Sequence, residues 1–473
     1  MRYRLARNRR SKLRCAGLLL TLLLLGARAE RVEAWGPHAE ITKAALAVLP
    51  ERARWEELLG EENLTALIAY SWLPDQQGED LGSFYADDYL LIPAHPRYPP
   101  HGMPGVRATY PAYFRRALQA LRTETPVNAC RQLGPLIHLV EDSGAPPHAR
   151  PNTPHHSELE NWIRTDAITI AGYRPRLLGR TDDEALAALQ RRMDQLIAFA
   201  AERAERALPL VSAPKPNRAQ VEPILLEAAL ECARVVADLL HTLFTLGLAP
   251  QPEGASLSGT VTAAEIPLRN DHGARIVLLG TEFGTLAVTA EEMPAAGWRG
   301  AYHLRNLPEG TYRVLAYRTG SRPQVSDPIT LVAGKTAHLD FTLPSTEPAG
   351  NLVENPDVTL SYLQEGAPDR WRRVQVGGKR VWQSAPARVK SGVSYRLGAA
   401  LKDPAARVHF RFLLRVMKRE WNATLVSLPP GETAPAEKRF APNILHSAVQ
   451  VLVETDKPLA EAIDRVWVVP EVE

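Results

Sequence analysis

The chain has little cysteine, little net charge and only one long apolar run. Three cysteines among 473 residues exclude a disulfide-rich scaffold. Because Cys15 lies near the first residue, only Cys130 and Cys232 remain for a bridge, which the sequence neither requires nor excludes. A formal net charge of +3 does not by itself indicate nucleic acid or a membrane surface as the partner. Apolar residues make up 45% of the chain, which is enough for a substantial core.

The one long apolar run is typical of a signal peptide. Residues 1–34 combine a cationic start with the run CAGLLLTLLLLGA, which is too short for a comfortable membrane span. We expect cleavage after Ala34, with Ala29 as the alternative, so that the mature chain begins at Trp35. The sequence therefore predicts a secreted or periplasmic protein, and the alternative is an uncleaved anchor.

Residues 35–250 are predicted to form an all-α domain. Strong helix formers dominate this region, and apolar residues recur at helical spacing. The segments with this spacing are 42–59, 109–124, 182–208 and 223–248. Between residues 71 and 104 the pattern lapses into a loop rich in Asp, Tyr and Pro. A loop of this length inside a helical domain is usually functional.

After residue 256 the pattern changes to short strand-like runs split by Gly and Pro, which predict two all-β sandwich domains at 257–344 and 351–473. The segment NLPEGTYRV in the first resembles the transthyretin-like (carboxypeptidase regulatory-like) repeat. The second is similar to jelly-roll carbohydrate-binding modules. Its Trp371, Trp382 and Trp421 either stack on sugars or, as is more usual in a β-sandwich, lie in the core.

The stretch from residue 135 to 162 carries most of the chemistry. His138 and Asp142 are spaced i, i+4, as are His156 and Glu160, so each pair projects from one face of a helix. One such pair alone is more often a surface salt bridge. Two pairs with His148 between them instead predict a metal site, because imidazole and carboxylate are ligands that zinc prefers.

Other polar residues divide into candidate ligands and surface positions. His38 stands at the start of the first predicted helix, and Asp75 stands in SWLPD, just where a helical stretch ends. In the irregular loop, His95 is the candidate ligand and His101 is its substitute. His155 and Glu141 are predicted to be solvated surface residues, because neither shares the face of the ligand pairs.

The order of these residues resembles the zinc-dependent phospholipase C family, which includes the single-strand-specific nucleases. The resemblance covers residues 35–250. The residues that carry it are, in chain order, Trp35, His38, Asp75, His95, His138, Asp142, His148, His156 and Glu160. Some spacings depart from the family: the gap from His148 to His156 is shorter, and the gap from Asp75 to His95 is longer.

The resemblance implies three zinc ions. The residues implied for one ion are His95, His138 and Asp142, with Asp75 close by. The residues implied for a second ion are His148, His156 and Glu160. The third ion would take the free amine and carbonyl of Trp35 together with His38, and Asp142 would bridge it to the first. A free α-amino group has a pKa of about 7.7–8, so its neutral form is accessible to a metal.

The activity implied is hydrolysis of a phosphoric ester by metal-activated water, with Asp75 as the general base. The context HSELEN at residues 156–161 favours a phospholipase C acting on phospholipid headgroup esters. The alternative is a single-strand-specific nuclease of the same superfamily. An alternative of another class is a catalytically silent metal-binding adhesin. In the favoured interpretation, the β-domains contact a membrane surface or carbohydrate.

Overall fold

The structure is a computed structural model. The residues that it describes are 36–72, 105–150, 153–264, 273–289, 298–318, 320–361, 367–416, 419–429, 435–444 and 446–471. The predicted leader and four candidate ligands, Trp35, Asp75, His95 and His101, lie outside these residues.

The first region of the chain is helical up to Gly247. Its helices are α1 (His38–Ala47), α2 (Arg52–Leu59), α3 (Glu61–Trp72), α4 (Val106–Thr123), α5 (Pro126–Gly144), α6 (His156–Asn161), α7 (Asp182–Val211) and α8 (Arg218–Gly247). The two longest begin with side-chain caps, since Thr181 accepts from the amide of Glu184 and Asn217 accepts from that of Ala219. The predicted segment 42–59 forms two helices, because Pro50 has no amide hydrogen to continue the first.

Helix α5 is the centre of the helical region. It packs against α3, α4, α7 and α8, and nearly every residue from Asn128 to Gly144 is buried. Two glycines allow this close approach. A Cβ on Gly134 would lie 2.5 Å from the carbonyl oxygen of Tyr70 in α3, and one on Gly144 would lie 2.7 Å from Cys232 in α8. The side chains of α5 therefore face other helices on every side.

The remainder of the chain forms two β-regions. The strands of the first are β1 (Ala255–Ala263), β2 (Ala274–Leu278), β3 (Gly284–Thr289), β4 (Trp298–Leu307), β5 (Gly310–Tyr312), β6 (Val314–Tyr317), β7 (Gln324–Val325), β8 (Ile329–Leu331), β9 (Thr336–His338) and β10 (Phe341–Leu343). The main sheet has the order β10-β1-β4-β3-β2-β6-β7, with β9 also beside β1, and β5 pairs with β8. Residues of β1 and β2 share one core although two strands separate them, so the sheet curves around that core.

The second β-region is a two-sheet sandwich. Its elements are β11 (Trp371–Val376), β12 (Lys379–Ser384), β13 (Ala387–Arg388), β14 (Ser394–Leu401), β15 (Arg407–Val416), β16 (Arg419–Ser427), β17 (Ala436–Phe440), β18 (His446–Glu454), a short helix α9 (Leu459–Ala462) and β19 (Ile463–Glu471). One sheet has the order β11-β12-β18-β15-β16, with β13 also beside β18, and the other has the order β17-β14-β19. Trp371 and Trp382 lie in the core between them, which confirms the structural interpretation of these two residues over sugar stacking.

A buried polar contact joins the helical region to the first β-region. Thr285 on β3 donates to Oε2 of Glu124 at 2.6 Å and accepts from Nδ2 of Asn128 at 2.9 Å. Glu124 also pairs with Arg116, and both side chains are almost completely buried. The contact therefore links β3 to Glu124, just after α4, and to Asn128 in α5.

The architecture confirms the prediction of a helical region followed by β-sandwich regions. The predicted domain boundaries stay predictions. Cys130 and Cys232 are separate buried thiols, so the structure contains no bridge between them. Among the helices described, none is both long and apolar enough to span a bilayer.

Candidate metal centre

Four local elements bring together the six predicted ligands that lie within the described residues. Helix α5 projects His138 and Asp142 from one face, and α6 projects His156 and Glu160 in the same way. His148 lies in the turn after α5. There the amide of Ala145 bonds to the carbonyl of Asp142, and the amide of His148 bonds to that of Ala145. These turns fold the chain back towards α5. His38 is the first residue of α1.

The first group consists of His38, His138 and Asp142, all of them buried. Oδ1 of Asp142 lies 3.5 Å from Nε2 of His38, and Oδ2 lies 3.2 Å from Nε2 of His138. The two imidazole rings stack with 4.6 Å between their centroids. Each carboxylate oxygen therefore faces a different imidazole nitrogen.

The second group consists of His148, His156 and Glu160. Nε2 of His148 lies 3.1 Å from Nε2 of His156 and 3.1 Å from Oε1 of Glu160, and Nε2 of His156 lies 2.9 Å from the same oxygen. His148 and Glu160 are buried, whereas the side chain of His156 is 45% exposed. The group therefore opens to solvent on the side of His156.

The two groups adjoin each other at His148. Its Nδ1 lies 3.2 Å from Oδ1 of Asp142, while its Nε2 belongs to the second group. Burial lowers the pKa of His148, but the carboxylates of Asp142 and Glu160 outweigh it and raise the pKa to about 9. The two carboxylates therefore favour the protonated, positively charged form of this imidazole.

Outer contacts orient the imidazoles of the first group. Nδ1 of His138 donates to the carbonyl oxygen of Ser71 at 2.9 Å, which leaves Nε2 towards Asp142. Nδ1 of His38 lies 2.7 Å from Oε2 of Glu141, and Thr42 donates to Oε1 of Glu141 at 2.6 Å. Burial raises the pKa of Glu141, although the hydrogen bonds from His38 and Thr42 act in the opposite direction.

The prediction that Glu141 is a surface residue is wrong. Its exposed fraction is 0%, because α5 is enclosed on all sides and the face next to the ligand face meets α1. In contrast, His155 is exposed as predicted. It lies just before α6 and has a φ of 54°. Sequence reasoning also missed the carbonyl of Ser71 and the hydroxyl of Thr42.

The donor atoms fit zinc. Tetrahedral zinc with bonds of about 2.0–2.2 Å separates neighbouring ligand atoms by about 3.3–3.6 Å. The distances are 3.2 and 3.5 Å in the first group and slightly shorter, 2.9 to 3.1 Å, in the second, and the ligand atoms of each group all lie within 4.8 Å of one another. Two groups could therefore each hold a metal ion. His38 lies with His138 and Asp142, and its predicted role at a separate third ion stays a prediction.

Comparison with solved structures gives distant likenesses. No protein-family model matches the sequence, and no curated protein is significantly similar to it. The chain is similar to the alpha-toxin of an avian Clostridium perfringens strain, with 12% identity and a TM-score of 0.34 over 62% of this chain and 96% of that one. It is also similar to an alpha toxin from Clostridium absonum, with 14% identity and a TM-score of 0.34 over 63% of this chain and 96% of that one. For a putative carbohydrate binding protein from Bacteroides uniformis, the identity is 9% and the TM-score is 0.16 over 47% of this chain and 100% of that one. TM-scores of this size carry no argument about activity.

Proposed function

We propose that the chain is a zinc-dependent phosphodiesterase, and that it hydrolyses phospholipid headgroup esters as a phospholipase C. The observation that carries this proposal is the pair of adjoining groups, linked by the 3.2 Å approach of His148 Nδ1 to Asp142 Oδ1. A binuclear or larger zinc centre is suited to phosphodiesters, because neighbouring ions can offset charge on both the attacking and the leaving oxygen.

The residues proposed to hold zinc follow the two groups. His148, His156 and Glu160 would hold one ion, and Asp142 with His138 would hold another. When bound, zinc supplies Lewis acidity and lowers the pKa of water to about 7. The chain's own contribution is orientation. The carbonyl of Ser71 fixes the ring of His138, and exposure of His156 provides the open side at which a substrate approaches.

The remaining ligands are part of the proposal. We place the Trp35 amine and carbonyl with His38 at a third ion, His95 with the first group, and Asp75 as the base that orients the attacking water. The described residue nearest to Trp35 is Gly36, and it lies beside Asn161, which ends α6: a Cβ at Gly36 would be 3.6 Å from Oδ1 of Asn161. The residue after Trp35 is therefore next to the helix that carries Glu160.

Two further assignments accompany this function. The N-terminal ligand requires removal of the leader after Ala34, which agrees with the proposed export to the periplasm or the medium. The β-regions would contact a membrane surface or carbohydrate around the substrate. Because Trp371 and Trp382 lie in the core, neither provides a sugar-stacking platform.

A paired turnover assay tests the proposed function. Mature protein beginning at Trp35 and loaded with zinc is given phosphatidylcholine vesicles in one reaction and single-stranded DNA in another, each with a chelator control. Chelator-sensitive release of phosphocholine is the expected result. Cleavage of DNA alone would replace the phospholipase with the nuclease. Stoichiometric zinc without turnover of either substrate would favour the metal-binding adhesin.

A further inference from the structure

Glu141 is a buried carboxylate beside the first group but outside it. Its exposed fraction is 0%, and the two groups that could hold a metal do not include it. Removing a carboxylate from water is unfavourable unless hydrogen bonds or charges compensate for it. Here the compensation comes from α1, through the 2.7 Å contact to Nδ1 of His38 and the 2.6 Å hydrogen bond from Thr42.

The contact with Glu141 determines the direction of the His38 ring. A Glu141 carboxylate can only accept, so it favours the imidazole with its hydrogen on Nδ1, and the lone pair of Nε2 then faces Oδ1 of Asp142 at 3.5 Å. A metal-binding imidazole needs this tautomer, and a carboxylate behind the ring also increases its basicity. His138 receives the equivalent orientation from the carbonyl of Ser71.

Thr42 fixes the carboxylate in turn. It lies one turn after His38 on α1, so both side chains reach α5 from the same face of the helix. Its hydroxyl holds Oε1 while the imidazole holds Oε2, and the carboxylate therefore has a single orientation. Three side chains thus form a continuous chain of hydrogen bonds that ends at the first group.

We propose that Glu141 is a positioning residue, which fixes the tautomer and orientation of His38 for metal binding. This inference rests on the proposed function only in requiring that His38 binds zinc. It does not require that the substrate be a phospholipid. The expected consequence of losing Glu141 is weaker binding of the zinc ion that His38 holds, with unchanged binding at His148, His156 and Glu160.

The test measures stepwise zinc affinities by competition with a chromogenic chelator on the full mature chain. Glu141→Ala should weaken one zinc site by about 10- to 100-fold, as is usual when the partner of a ligating histidine is removed. Glu141→Gln keeps an acceptor oxygen and should restore part of the affinity. In the His38→Ala background, Glu141→Ala should add no further loss.

Glu124→Gln is the matched control. Glu124 is also completely buried and also accepts a 2.6 Å hydrogen bond from a threonine, but its partners are Thr285 and Arg116 rather than a histidine. This variant should lower the unfolding temperature and leave every zinc affinity unchanged. Thermal unfolding of each metal-free variant verifies its folding, and Thr42→Val serves if Glu141→Ala does not fold.

The outcomes separate the inference from the proposed function. Wild-type zinc affinity in folded Glu141→Ala, or equal losses in Glu141→Ala and Glu124→Gln, would overturn the positioning role and leave the function in place. If zinc binding depends on Glu141 but the protein hydrolyses no phosphodiester, the positioning role stands and the proposed function is overturned. A wild-type chain that binds no zinc would overturn both.

Discussion

His148 contacts a carboxylate with each of its ring nitrogens: Nδ1 lies 3.2 Å from Oδ1 of Asp142, and Nε2 lies 3.1 Å from Oε1 of Glu160. The imidazole therefore stands between two carboxylates that come from different helices. A residue at this position affects both groups, and it is the most informative single site for mutation.

We predict that His148→Ala removes zinc from the second group and abolishes phosphodiester hydrolysis. The substitution deletes one of the three donors of that group and leaves Glu160 buried without this imidazole. Zinc per chain, measured by elemental analysis after dialysis, should fall by at least one ion. His155→Ala is the control, because His155 is an exposed histidine next to α6, the helix that carries His156 and Glu160. Full activity of His148→Ala would contradict the assignment.

Gly134→Ala should destabilise the protein although alanine favours helix. The gain in helix propensity is about 1 kcal/mol. Against it, the new Cβ would lie 2.5 Å from the carbonyl oxygen of Tyr70, and backbone atoms cannot move aside cheaply. Overpacking of this kind costs about 1–3 kcal/mol. Because α3 would shift away from α5, the contact between Ser71 and His138 would lengthen as well.

Denaturant unfolding of the metal-free protein measures this change, and chelator competition measures its effect on the first group. We expect a lower midpoint together with weaker zinc binding. A midpoint equal to or above that of the wild type would show that α3 and α5 are not packed as closely as the Gly134 contact requires.

Thr285→Val should weaken the junction between the helices and the first β-region. The valine keeps the shape of threonine but removes the hydroxyl that bonds to Glu124 and Asn128. Loss of a hydrogen bond to a charged group costs about 1.5–3 kcal/mol. Thr311→Val, at an exposed position of β5, is the control and should change the unfolding free energy by less than about 0.5 kcal/mol. Equal effects of the two variants would contradict the buried junction.

Both cysteines of the mature chain should be unreactive until the protein unfolds. Burial raises the pKa of Cys130 to about 12, and that of Cys232 is also raised, so neither forms the reactive thiolate near pH 8. A thiol-specific chromogenic reagent should report none in native protein and two in denaturant without reductant. No thiols in denaturant would instead indicate a bridge between them.

The sequence predicted those parts of the site that depend on local geometry. His138 with Asp142 and His156 with Glu160 follow from helical spacing alone. That His38 meets Asp142 depends on how α1 packs against α5, and only the family resemblance suggested it. The burial of Glu141 does not follow from helical spacing, because a polar residue off the ligand face usually meets solvent, whereas here that face of α5 meets α1.

In the fold, too, local pattern predicts individual elements but not how they pack together. Strand positions such as those of β14, β15 and β18 follow from short apolar runs. The sheet order does not, since β18 pairs with β12, β13 and β15 at large sequence separations. Such pairings depend on the core that the two sheets share, and this core is built from many separate segments of the sequence.

Anomalous diffraction at the zinc absorption edge, from crystals of the zinc-loaded mature protein, locates the bound ions directly. The proposed three-ion arrangement predicts one anomalous peak between His148, His156 and Glu160, and two more beside Asp142, one at His138 and one at His38. Zinc peaks elsewhere on the chain, with none at the second group, would contradict it.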